Sequence, residues 1–405
     1  MQGHVVKVRS LSPAQLDAWD ALGRNAVELN PLFEPACLVP AARFLPNGSE
    51  IYLVFAEEGG KFYGCFPLER ARRGRDRMPL TLIEHLLVTE TTQVRRNRYD
   101  LTPLLRPERA DEAMGSLLQA VRDCRIPRAP MLLRFEALSA GGPVESSLRN
   151  AARGMRISLY VAESWTRPIA CRREDGNYSG GSDGRRKLVK RILRFEERLG
   201  EATDAKVSLV DRSADPSAIE ELFRLERSGY KFSTGVAMES WQGEQEWFRA
   251  TCEALRKQGR LVVCTLESGG TTAAIIVMFR GGDRLLGVQR AYDEQLKKFS
   301  PGNQLDFEFY DHFHRMGGVR MHDSCTGASN DKSVRLFDES RPVITVVAAV
   351  GGRRYGVLLA PFGFLRDRLQ AREQLVRLMA RYPWVDRLAR RFAAQLERPA
   401  TPSTP

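Results

Sequence analysis

Three apolar runs in close succession, Arg260–Glu267, Thr272–Arg280 and Arg284–Tyr292, constrain this chain more than any other feature. Their length and their content of β-branched residues read as strands rather than as surface helix. Ser268-Gly269-Gly270 joins the first two. After the third come a loop, a helical pattern over Gln304–Arg315, a strand at Val319–Asp323, a short helix at Asp331–Asp338 and a strand at Pro342–Val350. Upstream lie a strand at Val207–Val210 and a helix at Pro216–Gly229. A second helix, Gln245–Gln258, stops at Gly259, the residue type that most often follows a helix end.

At 405 residues the chain exceeds one ordinary domain of roughly 100–200 residues. A second α/β unit precedes the first. Its helix Pro13–Asn25 leads to a strand at Ile51–Glu57, whose partner Lys61–Arg70 lies across the Gly59-Gly60 turn. A helix at Ala110–Asp123 and a strand at Met131–Glu136 follow. We therefore expect an N-terminal unit over residues 1–171, a flexible connector rich in Gly, Ser and Asp over 172–184, and a C-terminal unit over 185–356. A basic helical tail over 357–397 and a disordered end over 398–405 complete the chain. Directly after the connector, Arg185–Gly200 sets Leu188, Ile192, Phe195 and Leu199 on one helical face and basic residues elsewhere. It reads as a solvated surface helix or as a platform for an anionic substrate.

The 62 basic and 50 acidic residues leave a charge of +12, which favours phosphates, anionic cofactors, nucleic acid or a lipid surface. Seven scattered cysteines, none in a CxxC pair, argue against a disulfide framework. The five histidines form no metal-ligand pattern, so no metal is expected. The start lacks the apolar core of a signal peptide, and no run approaches the ~20 apolar residues of a membrane span. The expected location is the cytoplasm, with peripheral contact to the inner membrane face through the basic tail.

Chemistry concentrates between Arg290 and Phe313. A strand ends near Tyr292, a loop carries Lys297 and Lys298, and a helix opens after Ser300-Pro301-Gly302. Backbone N–H groups at a helix start are unpaired and partly positive, which suits a pyrophosphate. Gly302 admits close backbone approach, and Pro301 fits the first helical position. The candidate cofactor contacts are Arg290, Ser300, Pro301, Gly302, Asn303 and Gln304.

The stretch LERSGYKFSTGVAM, Leu225–Met238, resembles the LE-x-SGWKG-x-GTAM signature of the CelD/BcsL-like, cellulose-biosynthesis-type acetyltransferases of the GNAT superfamily. Further ordered matches are the basic helix Lys187–Gly200, AYDE at Ala291–Glu294, SPG at Ser300–Gly302 and DSC at Asp323–Cys325. Leu336-Phe337 stands where that family has LW; Phe33–Pro35 and Thr102–Leu105 match in the first half. Tyr230 replaces a Trp, Phe232 a Gly and Arg290 a Lys, and the usual GNAT pyrophosphate loop Q/R-x-x-G-x-G/A is absent. The resemblance implies an α/β chain of tandem GNAT-like folds with mixed sheets and a C-terminal helical tail. Its second copy would bind acetyl-CoA or another acyl-CoA as co-substrate.

Acyl transfer needs a base for the nucleophile and donors for the thioester carbonyl. Glu226, late in a helix before an exposed turn, is the first candidate base; Asp323, at a strand end, is the second. Asp293 and Glu294 are alternatives. Tyr230, Lys231, Tyr292 and Asp293 are candidate acceptor contacts. Cys325 lacks an activating histidine, because His322 faces the other side of its strand. The expected activity is transfer to a small or saccharide acceptor of the cell envelope or exopolysaccharide, within an envelope-synthesis complex. Two alternatives stand beside it. One is a Fem-like transferase using aminoacyl-tRNA, although the long coiled-coil insertion common there is missing; only this reading involves nucleic acid. The other is a degenerate, non-catalytic GNAT scaffold.

Overall fold

The computed structural model describes residues 1–46, 48–70, 86–88, 101–124, 132–173, 183–326, 336–337 and 339–351. The core of the connector, most of the expected helix at 331–338 and the basic tail lie outside these residues.

The first unit runs β1 (Gln2–Lys7), α1 (Pro13–Gly23), α2 (Pro35–Phe44), β2 (Tyr52–Glu58), β3 (Lys61–Arg70), β4 (Leu86–Val88), β5 (Leu104–Leu105), α3 (Ala110–Asp123), β6 (Leu133–Ser139), α4 (Pro143–Gly154) and β7 (Ser158–Cys171). The second runs α5 (Asp183–Thr203), β8 (Ser208–Asp211), α6 (Ser217–Ser228), α7 (Glu244–Lys257), β9 (Leu261–Ser268), β10 (Thr271–Gly281), β11 (Arg284–Tyr292), α8 (Pro301–Arg315), β12 (Met321–Asp323) and β13 (Glu339–Ala349). Local sequence explains the joints. Gly59-Gly60 and Gly269-Gly270 all take positive φ, the backbone that a tight two-residue hairpin requires. Ser12 and Gln15 close a capping box on α1, and proline opens α2, α4 and α8.

The strands of the two units form one continuous, mixed, hydrogen-bonded sheet of 13 strands among the described residues. Their order is β1-β2-β3-β4-β6-β13-β7-β12-β11-β10-β9-β8, with β5 beside β3. The centre of this path is a reciprocal exchange. β13, from the second unit, lies between β6 and β7 of the first, and β7 in turn lies against β12. Each unit therefore completes the other's sheet, which neither the periodicity nor the connector announces.

A second lock joins the units through Phe33-Glu34-Pro35. Phe33 is buried, and Glu34 accepts from Arg260 Nη2 at 2.8 Å. The Trp247 indole on α7 donates to the Cys37 carbonyl at 3.0 Å. At Gly243, φ is 78° and an added Cβ would lie 2.0 Å from the Phe44 carbonyl oxygen, so only glycine permits this approach. One apolar core spans both units, including Phe33, Trp247, Phe248 and Phe279. Fully burying one such phenylalanine contributes about 1.5–3 kcal/mol. A separate cluster fills the space between the sheet, α5 and α8.

Candidate active site

β11 and β12 are parallel, but they pair only over Arg284–Leu286 and Met321–Asp323. Beyond Leu286, β11 carries a one-residue bulge against β10, where Val277 faces Gln289 and Met278 faces Gly287. A bulge bends its strand and increases the local twist. The bulged end of β11 therefore leaves β12 behind, and a cleft of about 390 Å³ lies beside its last residues. Glu226, Tyr230, Lys231, Arg290 and Tyr292 line it, and so do Ser300, Pro301, Gly302 and Asn303. Residues chosen from separate sequence segments thus converge on one cavity.

Helix α8 points its start at this cleft. Ser300 takes a left-handed conformation (φ 53°, ψ 51°), and Pro301 is the first helical residue. The Ser300 carbonyl accepts from the N–H groups of Asn303 and Gln304, and Pro301 has no N–H. The Gly302 N–H finds no acceptor among the described residues. A Cβ on Gly302 would meet only the Tyr292 ring, at 3.8 Å, so the residue borders open space. Arg290 Nη1 donates to Asp306 on α8 at 2.5 Å, and its side chain remains 43% exposed. These features form an anion-accepting rim that fits a pyrophosphate.

At the opposite wall, Glu226 lies in the last turn of α6 and is 2% exposed. Its Oε1 accepts from Lys231 Nζ at 2.7 Å and its Oε2 from the Met238 N–H at 3.1 Å. Lys231 also donates to Gln289 Oε1 at 2.8 Å and to the Arg290 carbonyl at 2.7 Å. Tyr230 is half exposed, with its ring 6.4 Å from that of Tyr292. Burial, with Glu294 next in effect, holds the Tyr292 hydroxyl above its usual pKa.

Three sequence expectations need correction. Asp323 does not reach the cleft: it is fully buried, and Arg284 Nη2 (3.0 Å) and Arg341 Nε (2.8 Å) both donate to its Oδ2. Its Oδ1 accepts from the Cys325 N–H at 2.8 Å, with Arg167 Nη1 at 3.9 Å. Gln304 is buried too, and its Nε2 donates to the Phe299 carbonyl at 2.8 Å, which fastens the loop from inside. Asp293 accepts from the Gln295 N–H at 2.9 Å and caps the turn Glu294–Phe299. Sequence reasoning passed over Gln289, which neighbours Arg290 on the bulged strand. Glu294 and Lys297 also line the cleft and pair at 2.6 Å. Both belong to the loop singled out before Ser300, Glu294 as an alternative base and Lys297 as a flanking positive charge.

Residues 186–333 match the acetyltransferase (GNAT) domain family. No curated protein matches the chain. Among solved structures, FemX superposes with a TM-score of 0.54 at 8% identity, covering 86% of this chain and 97% of its own. A conserved protein of unknown function from Bacteroides thetaiotaomicron VPI-5482 gives 0.52 at 11% identity, covering 84% and 97%. These likenesses extend across both units and concern the fold. Among the described residues, no group of His, Cys, Asp and Glu is arranged to hold a metal, and no helix is long and apolar enough to cross a membrane.

Proposed function

We propose that the chain is an acyl-CoA-dependent transferase, with acetyl-CoA as the first co-substrate to test. The observation that carries this reading is the convergence of the bulged β11 edge, the Gly302 N–H and the Arg290 guanidinium on one cleft. Gly302 and Arg290 hold the pyrophosphate, and the β11 edge aligns the arm that leads to the thioester. The bound co-substrate supplies the activated acyl group. Glu226 takes the proton of the attacking acceptor, and Lys231 places positive charge beside the carbonyl oxygen. The thioester C–S bond breaks as the new acyl bond forms, and the departing CoA thiolate takes up the proton. The acceptor is a small molecule or saccharide of the cell envelope, in keeping with the resemblance to CelD/BcsL-like acetyltransferases. Action at the inner face of the membrane, within an envelope-synthesis complex, fits such an acceptor.

Calorimetry with CoA, acetyl-CoA and longer acyl-CoAs tests the donor, and aminoacyl-tRNA in the same titration tests the Fem-like alternative. Gly302→Val should fold normally, because a Cβ there has room. It should weaken CoA binding by roughly 1.5–3 kcal/mol through the lost charge-assisted hydrogen bond. Unchanged CoA affinity in the folded variant would remove the site from this loop.

A further inference from the structure

Helix α5 is a 21-residue rod, about 31 Å long, set on the outside of the second unit. Its inner face is accounted for: Ile192 and Leu199 are buried in the cluster that α5 shares with α8 and the sheet. The outer face has a different composition. Lys187, Lys190, Arg191, Arg194 and Arg198 are all exposed, and none pairs with a carboxylate among the described residues. Elsewhere on the same unit the rule is the reverse, since Arg224, Arg227 and Arg249 each sit against a glutamate. Helix stability does not explain the pattern. Arg186 and Lys187 stand near the positively polarised helix start, where acids are favoured.

We propose that this face of α5 docks on an anionic phospholipid surface. Charge complementarity selects a polyanion, since each lysine or arginine near such a surface contributes roughly 1 kcal/mol. Leu193 selects lipid over nucleic acid. It is 43% exposed at the margin of the cationic face, where an apolar side chain gains by entering the headgroup boundary. The exposed face also lacks an aromatic ring on which a base would stack. Only Glu197 and Glu201 interrupt the positive charge, toward the far end of the helix. Docking through α5 would bring the second unit to the membrane independently of the tail, and it does not depend on what the cleft binds.

The test uses the full chain and vesicles of phosphatidylcholine with and without phosphatidylglycerol, read by co-sedimentation. Wild type should bind the anionic vesicles selectively and release them as salt is raised. The combined variant Lys187→Glu, Lys190→Glu, Arg194→Glu should lose on the order of 10²-fold in affinity, about fivefold per cation. The matching glutamine set guards against misfolding, and circular dichroism and CoA titration report the fold of both. Leu193→Ser should weaken vesicle binding and leave retention of a transfer RNA unchanged. Equal binding by the folded charge variants would overturn the proposal and shift attention to the tail. Lack of preference for phosphatidylglycerol, or tighter binding of transfer RNA than of vesicles with the same variant sensitivity, would overturn it as well.

Discussion

Glu226 and Asp323 are both carboxylates withdrawn from solvent in the second half of the chain, yet their surroundings differ in kind. Glu226 has one cation, Lys231, and that cation is shared with Gln289 and a strand carbonyl at the wall of a cleft. Asp323 has three arginines around it, from β7, β11 and β13, where the exchanged strands meet. A buried charge enclosed by several cations belongs to the framework, because removing it leaves those cations uncompensated. A buried charge with a single partner beside a cavity is in a position to exchange that partner for a substrate. Burial alone does not distinguish the two; the partners do.

The sharpest way to break this contrast is to remove each charge and ask what is lost. Glu226→Gln should reduce turnover by about 10²–10⁴-fold, up to about 5.5 kcal/mol, while CoA affinity holds. Thioester consumption with a panel of sugar and amine acceptors measures it. The amide cannot accept from both Lys231 and the Met238 N–H, so a stability loss of about 1–3 kcal/mol should accompany the change. Full turnover in the folded variant would place the base elsewhere.

Asp323→Asn should show the opposite profile. Unfolding in urea should report a loss of about 3–5 kcal/mol, since Arg167, Arg284 and Arg341 lose their shared anion. The fraction that folds should keep CoA affinity and near-normal turnover. An Asp323→Asn protein as stable as wild type but inactive would put Asp323 back among the catalytic groups.

Much of the scaffold was legible because its signals are local. The hairpin partner Lys61–Arg70, the helix Ala110–Asp123 and the strand Arg284–Tyr292 have the limits read from composition and turn residues. The rim at Ser300–Gly302 was legible for the same reason, since a proline and a glycine at a helix start act through backbone geometry alone. What escaped was long-range. β7 and β13 exchange places through pairings such as Val343 with Trp165, which neither segment encodes by itself. The arginines around Asp323 come from three strands, so its strand-end position looked functional. Gln304 was misplaced for a simpler reason: it stands one turn from the helix start, on the face that α8 turns inward with Leu305 and Phe309.

The smallest expected effect concerns the residue beside Asp323. His322 lies on the opposite face of the same short strand, 5.3 Å ring to ring from Phe309 and 5.4 Å from Phe337. Its Nδ1 is buried without a hydrogen-bond partner, which suits a neutral ring. Burial lowers its pKa from 6.5 to about 4; Asp323 acts in the other direction and is outweighed. The unfolded chain therefore binds a proton between pH 6.5 and about 4 that the folded chain refuses. Stability from this residue is complete above pH 6.5 and falls as the pH is lowered, by about 3 kcal/mol once pH 4 is reached. His322→Phe removes the titrating group and retains an aromatic ring. Its unfolding free energy should decline less than that of wild type between pH 6.5 and 4, with the difference appearing below pH 6.5 only. Parallel curves would mean that the His322 ring accepts a proton in the folded state.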